Sequence, residues 1–207
     1  MEILGIDAIS GISGIDSRWL ATGVVALVAG ERLLEVWLSR RNARWVLAHG
    51  GREFRAGRHH LWVVLVQSAY LVAIPCEIWL LERPFFPALA AFMLAALLLA
   101  MAIRYWAVAA LGPRWNIRVL CLPGTPAVTT GPYRFVRHPN YTAMMLEIPA
   151  LPLIHTAWAS ALVFTALCAL LLRQRLALEE MALARCSDYE PLMSDRPRFW
   201  PRLRSLR

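Results

Sequence analysis

The amino-acid sequence predicts an all-α integral membrane protein with about five transmembrane helices. Of its 207 residues, 58% are hydrophobic and only 17% are charged, a balance that is unusual for a soluble domain. All 22 basic residues are arginine, and they fall between long apolar runs rather than within one polar domain. The net charge of +8 therefore indicates contact with a membrane surface rather than with nucleic acid.

Long apolar runs mark the predicted membrane helices. A helix that crosses the hydrocarbon layer needs about 20 apolar residues, and three runs in the first half of the chain have that length. The run from Met144 to Leu172 is too long for one span, and Pro149 and Pro152 predict a turn within it, near the polar pair at 155–156. The predicted helices, within a single membrane domain of residues 1–207, are 17–38, 61–81, 85–111, 144–154 and 157–172, and the last two form a hairpin.

The arginines also predict the orientation of the helices. Cytoplasmic loops of membrane proteins are enriched in Lys and Arg. Residues 39–60 are rich in arginine, whereas the link between the second and third helices offers only Glu82 and Arg83. Placing the first loop inside also places the arginine-rich segments 112–141 and 173–207 inside. We therefore expect the N-terminus outside, with the C-terminus and the active site on the cytoplasmic side of a bacterial cytoplasmic membrane.

The first 16 residues have isoleucine at every third position from Ile3 to Ile15. This spacing fits a short interfacial helix, whereas the intervening Gly and Ser residues fit disorder. Both interpretations remain open.

The four cysteines are scattered along the chain. Cys76, Cys121, Cys168 and Cys186 form no CxxC pair, and two of them lie inside apolar runs, where a thiol behaves as a small hydrophobic group. We therefore expect neither a disulfide framework nor a metal site.

The segment from Leu111 to Tyr141 is a candidate ligand-binding loop. It is rich in Gly, Pro and aromatic residues, and irregular backbone of this kind leaves N–H and C=O groups available to a polar cofactor. An ordinary connecting loop explains the same composition. At its end, Pro139 can occupy the first turn of a helix, and His138 or Asn140 can bind local backbone groups. A structural helix start is therefore the alternative to a functional motif.

Arg175 and Glu179 form a second candidate site. They are four residues apart and share one face of the last predicted helix, where it leaves the membrane. A carboxylate in this position can bind ribose hydroxyls, an amino group or a sulfonium, and Arg175 can hold an anionic acceptor. A solvated ion pair is the alternative, although the order favoured for helix stability places the acid first.

Charged residues within the apolar runs need partners, because exposing a charge to lipid near the bilayer centre costs about 2.5 to 3.5 kcal/mol. We expect the glutamates in these runs to face protein or water. Arg32 and Arg104 lie toward the inner ends of their helices, so we expect them to snorkel to the membrane surface. The glutamates concerned are Glu31, Glu35, Glu77 and Glu147.

Three motifs lie between Leu111 and Pro201: GPYRFVRHPNY before the predicted hairpin, RxxxEE after it, and an RPRFWP-like tail. Their order and spacing resemble those of the isoprenylcysteine carboxyl methyltransferase family and its phospholipid methyltransferase relatives. The resemblance implies a five-helix membrane enzyme that binds S-adenosylmethionine in a cytoplasmic pocket and takes a lipid-like substrate from the bilayer. Because a sulfonium methyl group is already activated, we expect no metal to be needed.

The resemblance also implies roles for individual residues. Arg175 would be the catalytic residue beside the methyl acceptor, and Glu179 would act with it and contact the cofactor. The implied cofactor-binding residues are Arg118, Thr125, Pro126, Ala127, Val128, Tyr133, His138, Pro139, Asn140, Tyr141, Glu179 and Glu180.

Two longer stretches, Gly112 to Val119 and Arg137 to Glu147, are similar to the bacterial branch of this family that is associated with type III polyketide synthases. Members of that branch O-methylate alkylpyrones or alkylresorcinols. The resemblance implies a lipophilic anionic acceptor, either of this type or an isoprenylcysteine-like carboxylate. Phospholipid N-methylation and a non-enzymatic scaffold that binds anionic lipid remain alternatives. The expected partners are a lipophilic small molecule and membrane lipids, not nucleic acid, and the sequence predicts no oligomeric state.

Overall fold

The structure, a computed structural model, describes residues 16–54 and 59–201 and, at residues 59 and 60, the backbone alone. It confirms the predicted all-α fold, with long helices joined by loops, 3₁₀ turns and one pair of two-residue strands. The predicted feature in the first 16 residues lies outside the described residues except for Asp16. The elements are α1 (Ser17–Ala48), β1 (Arg52–Glu53), α2 (His59–Leu80), α3 (Pro87–Leu111), β2 (Leu120–Cys121), α4 (Pro139–Leu153), α5 (Trp158–Cys186) and α6 (Tyr189–Met193).

Three of the described helical segments are long and apolar enough to cross a membrane: Leu61–Leu80, Pro87–Arg114 and Trp158–Cys186. Large apolar side chains cover the outside of the bundle; Leu27, Leu80 and Leu162 are 76%, 79% and 75% exposed. Such a surface suits contact with lipid rather than with water, and the chain is an integral membrane protein. Because α1 carries several charges and α4 has only 15 residues, the count of five spans and their orientation stay predictions.

The helix ends follow local sequence signals. Asp16 caps α1 by accepting a hydrogen bond from the Arg18 N–H at 2.9 Å. Pro139 begins α4, at a position where the missing N–H has no intrahelical partner to lose. The turn between α4 and α5 spans residues 154–157, where the sequence predicts the hairpin to reverse. The two prolines that suggested this turn lie inside α4 instead.

Two helices extend beyond their predicted membrane segments. α1 continues to Ala48, and α5 continues to Cys186, about four turns beyond residue 172. The additional turns of α5 carry Arg175 and Glu179. They therefore place both side chains on the same rigid helix that anchors the hairpin in the bundle.

A buried ion-pair network joins α1, α3 and α4. Glu147 of α4 pairs with both Arg32 of α1 and Arg104 of α3, and Glu35 of α1 pairs with the same two arginines. The expectation that Arg32 and Arg104 snorkel is wrong, because the glutamates of neighbouring helices balance their charges inside the bundle. Arg104 is only 5% exposed. Glu35 and Glu147 face protein, as predicted.

The remaining two glutamates also face protein. The Glu77 carboxylate accepts hydrogen bonds from the backbone N–H groups of residues 159 and 160, at 3.1 and 2.7 Å, and pairs with Arg83 at 2.8 Å. It thereby satisfies donors in the first turn of α5. Glu31 pairs with Arg32 at 3.3 Å and accepts a hydrogen bond from the Tyr105 hydroxyl at 3.2 Å.

Candidate active site

A polar cavity lies where the loop between α3 and α4, the end of α5 and α6 meet. It encloses about 1090 Å³, part of which is open to solvent. The two candidate regions of the sequence, the loop from Leu111 to Tyr141 and the pair Arg175 and Glu179, contribute to this one cavity.

The hydroxyl of Tyr141 links Arg175 to Glu179. Arg175 Nε donates a hydrogen bond to Tyr141 Oη at 2.8 Å, and that hydroxyl donates to the Glu179 carboxylate. Burial and the adjacent carboxylate raise the pKa of the Tyr141 hydroxyl well above its ordinary value, so the proton stays on the oxygen. A side chain of α4 therefore holds two residues of α5 in a fixed relation within the cavity wall.

His138 belongs to a second polar cluster beside the cavity. Its Nε2 lies 3.2 Å from the Glu180 carboxylate and 3.2 Å from the Tyr189 hydroxyl. Glu180 also accepts hydrogen bonds from two guanidinium nitrogens of Arg198, at 3.0 and 2.8 Å, and Arg137 Nη1 lies 3.6 Å away. Glu180 thus joins α5 to both the loop before α4 and the C-terminal tail.

Backbone contacts hold the tail against the start of α4. The N–H groups of Arg137 and His138 donate to the carbonyl oxygens of Pro197 and Arg198, at 2.9 and 3.0 Å. These two backbone hydrogen bonds satisfy donors just before the first turn of α4. The RPRFWP-like tail therefore supports the RHPNY motif directly, which explains why both accompany the same cavity.

Residues 121–128, which we term the strap, form one side of the cavity; within this segment, all residues except Pro123 and Gly124 line it. The Gly124 N–H donates to the Cys186 carbonyl at 3.1 Å. The Ala127 N–H donates to the Asp188 carboxylate at 2.7 Å. The first hydrogen bond connects the strap to the last residue of α5, and the second connects it to the segment that follows α5.

A disulfide joins Cys121 of the strap to Cys186 of α5. The expectation that the chain has no disulfide framework is wrong for this pair. The two cysteines are separated by 65 positions, so no local spacing signals their pairing, and packing of the strap against α5 brings the sulfur atoms together. Cys76 and Cys168 are free thiols.

Two further contacts shape the loop. The Arg118 guanidinium makes a two-pronged contact with the Glu53 carboxylate of β1, and β1 pairs antiparallel with β2 at the start of the strap.

Gly131 has a φ of 60°, and an added Cβ would lie 2.9 Å from Ala110 Cβ of α3. Glycine therefore satisfies both the backbone conformation and the close approach at this position.

Three polar side-chain atoms of the cavity are buried and unpaired. Among the described residues, Asn116 Nδ2, Arg137 Nε and Asn140 Oδ1 have no hydrogen-bond partner. All three residues line the cavity. Buried polar atoms in native proteins are nearly always paired, so these two donors and one acceptor would need a local rearrangement of the cavity wall to meet a bound ligand.

Most predicted site residues meet at this cavity. Pro139 and Glu180 do not line it: Pro139 is fully buried in the first turn of α4. Glu180 points toward the tail because successive helical residues project about 100° apart. Besides Arg175 and Glu179, the predicted residues that line the cavity are Arg118, Thr125, Pro126, Ala127, Val128, Tyr133, His138, Asn140 and Tyr141.

Other lining residues are not singled out by sequence reasoning. Trp115, Asn116 and Arg137 belong to the motif stretches, so the motifs themselves carry the signal for them. Tyr189 and Met193 lie on α6. Their approach to the cavity depends on how the chain folds back after α5, which no local pattern encodes.

An apolar cleft also reaches Arg175. It lies between α2, α4 and α5 and contains about 320 Å³ of space, part of which is open to solvent. Within the described part of the chain, Arg175 is the residue that the cleft shares with the polar cavity. A cationic side chain therefore stands where a polar and an apolar compartment meet. The cleft is lined by Val63, Val66, Gln67, Met144, Cys168, Leu171, Leu172 and Arg175.

Comparison with known proteins shows to which family this chain belongs. The model of the isoprenylcysteine carboxyl methyltransferase (ICMT) family matches residues 92–185. A protein of Bacillus subtilis (strain 168), described as uncharacterized protein YpbQ, is 31% identical over 166 residues, which cover 80% of this chain and 95% of the relative. This chain belongs to the ICMT family. A solved structure of the eukaryotic intramembrane Ras methyltransferase ICMT is 19% identical, with a TM-score of 0.44 over 68% of this chain. The chain spans about half, 52%, of that protein.

The ICMT family is one of membrane methyltransferases, and membership supports that broad class for this chain. The family match covers α5 to residue 185 together with the loop and most of α3. It therefore contains the Tyr141 link between Arg175 and Glu179. The RPRFWP-like tail and α6 lie beyond it.

Proposed function

We propose that this chain is an integral membrane, S-adenosylmethionine-dependent O-methyltransferase that acts on a lipophilic anionic acceptor at the cytoplasmic face. The observation that supports the proposal most is the position of Arg175, which lines both the polar cavity and the apolar cleft. A polar methyl donor in the cavity and the reactive end of an apolar acceptor in the cleft would meet at this side chain.

The polar cavity fits a ligand that combines a nucleoside with an amino acid. The Glu179 carboxylate suits ribose hydroxyls or an amino group, and Asn140 Oδ1 offers a further acceptor. Asn116 Nδ2 and Arg137 Nε, which are buried and unpaired, would become donors to a carboxylate or to a ring nitrogen after a local rearrangement of the cavity wall. When bound, S-adenosylmethionine supplies a methyl group that is already activated on a sulfonium.

Arg175 is suited to hold the acceptor oxygen. Arg175 Nε donates a hydrogen bond to the Tyr141 hydroxyl, whereas the two terminal nitrogens of Arg175 make no hydrogen bond to the described residues. A guanidinium in a fixed orientation binds an oxyanion well where water is excluded. A hydroxypyrone or a carboxylate is already anionic near neutral pH, so its alignment with the methyl group at about 3 to 3.5 Å is the main requirement and no dedicated base is needed.

The cleft indicates the rest of the acceptor. Its aliphatic lining from α2 and α5 suits a hydrocarbon chain. Alkylpyrones, alkylresorcinols and isoprenylcysteine-like carboxylates all combine such a chain with an acidic oxygen, and the likeness of Gly112 to Val119 to the polyketide-associated branch favours the first two. A phospholipid amine must be uncharged to accept a methyl group. A cationic Arg175 beside it offers no stabilisation to the ammonium product, which disfavours N-methylation.

The test is a paired measurement on purified protein in lipid bilayers. S-adenosylhomocysteine binding is titrated, and methyl transfer is followed to an alkyl hydroxypyrone, to a prenylcysteine and to phosphatidylethanolamine. We expect binding together with transfer to at least one of the first two acceptors. Transfer to phosphatidylethanolamine alone would establish the N-methyltransferase alternative, and binding of neither S-adenosylmethionine nor S-adenosylhomocysteine by folded protein would favour the scaffold.

A further inference from the structure

The Cys121–Cys186 disulfide connects two walls of the polar cavity. Cys121 begins the strap, Cys186 ends α5, and both residues line the cavity. The bond therefore closes a covalent ring around part of the cavity wall. No step of the proposed methyl transfer uses these sulfur atoms, so the bond needs a separate explanation.

Besides the disulfide, two hydrogen bonds among the described residues connect the strap to α5 and to the segment after it. The Gly124 N–H binds the Cys186 carbonyl, and the Ala127 N–H binds an exposed carboxylate, that of Asp188. Hydrogen bonds of this kind contribute little net stability, because water competes for the same groups. The disulfide is the only covalent connection among those that the described residues make between the strap and α5. Its loss would leave the two hydrogen bonds, which open readily, and the packing of Ala127 and Val128 near Tyr189 and Met193.

We propose that the Cys121–Cys186 disulfide is a redox-sensitive clasp that controls access to the polar cavity. In the oxidised state the strap is held on α5 and the cavity is shaped for its ligand. A dithiol reductant opens the clasp. One of its thiolates attacks one sulfur of the disulfide and releases the other cysteine as a thiolate, which then takes up a proton. The second thiol of the reductant attacks the reductant's own sulfur in the mixed disulfide and releases the first cysteine. Cys121 and Cys186 gain two electrons and two protons as free thiols, and the dithiol becomes a cyclic disulfide.

The surroundings of the bond support a regulatory role. On the orientation predicted from the arginines, the strap faces the cytoplasm, where dithiol and glutathione systems keep most thiols reduced. Disulfides that form there in mesophiles are commonly transient and redox-sensing. Cys186 is partly exposed, and both cysteines line the cavity, which is partly open to solvent, so the cavity gives a reductant a path to the bond.

The first part of the experiment is independent of ligand. Full-length protein in lipid is oxidised with diamide or reduced with dithiothreitol, and hydrogen exchange is measured across the strap. We expect the amides of Gly124 and Ala127 to exchange at least about tenfold faster after reduction. Protein with Cys121→Ser and Cys186→Ser should exchange at the fast rate in both conditions, and Cys76→Ser should respond like the wild type. Equal exchange in the oxidised and reduced wild type would overturn the proposal.

The second part rests on the proposed function. S-adenosylhomocysteine affinity should fall about tenfold on reduction and recover on reoxidation, because a ligand that contacts the strap must then order it on binding. If exchange responds and neither state binds S-adenosylhomocysteine, the clasp stands and the proposed function fails. If exchange responds while both states bind equally, control of the cavity by the clasp is refuted.

Discussion

Arg175 and Glu179 lie one turn apart on α5 and are connected through the hydroxyl of Tyr141, which accepts from Arg175 Nε at 2.8 Å and donates to the Glu179 carboxylate. Both side chains line the polar cavity, and Arg175 also lines the apolar cleft. The proposed function gives Glu179 a contact with the cofactor and Arg175 a contact with the acceptor. The arrangement makes the two side chains separable by mutation.

The Tyr141→Phe variant removes only the linking hydroxyl. We expect kcat/KM for methyl transfer to fall about 10- to 150-fold, because a hydrogen bond to a charged group is worth about 1.5 to 3 kcal/mol. Steady-state kinetics with the best acceptor measure the change, and the phenylalanine ring preserves packing. Wild-type kinetics in this variant would show that the link has no part in turnover.

Arg175→Ala removes the cation that is proposed to hold the acceptor. Transfer should fall about 30- to 1000-fold, whereas S-adenosylhomocysteine affinity should stay close to that of the wild type. Arg173→Ala is the matched control, because Arg173 is an exposed arginine on the same helix. Near-normal transfer by Arg175→Ala on every accepted substrate would reduce Arg175 to a basic residue at the end of a membrane helix.

The Glu179→Ala variant should lose cofactor affinity, whereas Arg175→Ala should keep it and lose methyl transfer. We expect loss of S-adenosylhomocysteine affinity of about 10- to 100-fold, since a charge-assisted contact to the ligand disappears. Isothermal titration in the same lipid measures it, with Glu190→Ala, an exposed acid on α6, as control. Undiminished binding would remove Glu179 from the cofactor site.

The Glu147→Gln variant tests the buried ion-pair network. Removing this charge leaves Arg32 and Arg104 with fewer partners inside the bundle, and breaking a buried pair in this way costs about 3 to 5 kcal/mol. The midpoint of thermal unfolding in detergent should fall clearly, while Glu190→Gln should leave it unchanged. An unaltered midpoint would mean that water or lipid headgroups already compensate these charges.

Reporter fusions test the predicted topology. Fusions after Gly50, after Thr125 and at Arg207 should all report a cytoplasmic location, because each lies in an arginine-rich segment. A phosphatase reporter, which is active only outside, supplies the opposite control at each site. An external signal at Arg207 would contradict the count of five spans.

Much of the candidate site is predictable because its residues occur in motifs with fixed spacing. RHPNY and the pair Arg175 and Glu179 bracket the hairpin, and a hairpin returns the chain to the side from which it entered. The helix period also predicts that Arg175 and Glu179 share a face. The position of Glu180 is decided by its partners on the loop and tail, which lie 18 to 42 positions away.

The sequence by itself determined the membrane class, the all-α fold, the position of the hairpin turn and the segments that form the cavity, because hydropathy and turn chemistry act over short distances along the chain. Only the tertiary structure decided that Arg32 and Arg104 pair with glutamates of neighbouring helices, that Cys121 meets Cys186, and that Tyr141 connects the two candidate side chains. Each of these contacts joins elements far apart in sequence, and its geometry depends on how the helices pack, which no local pattern records.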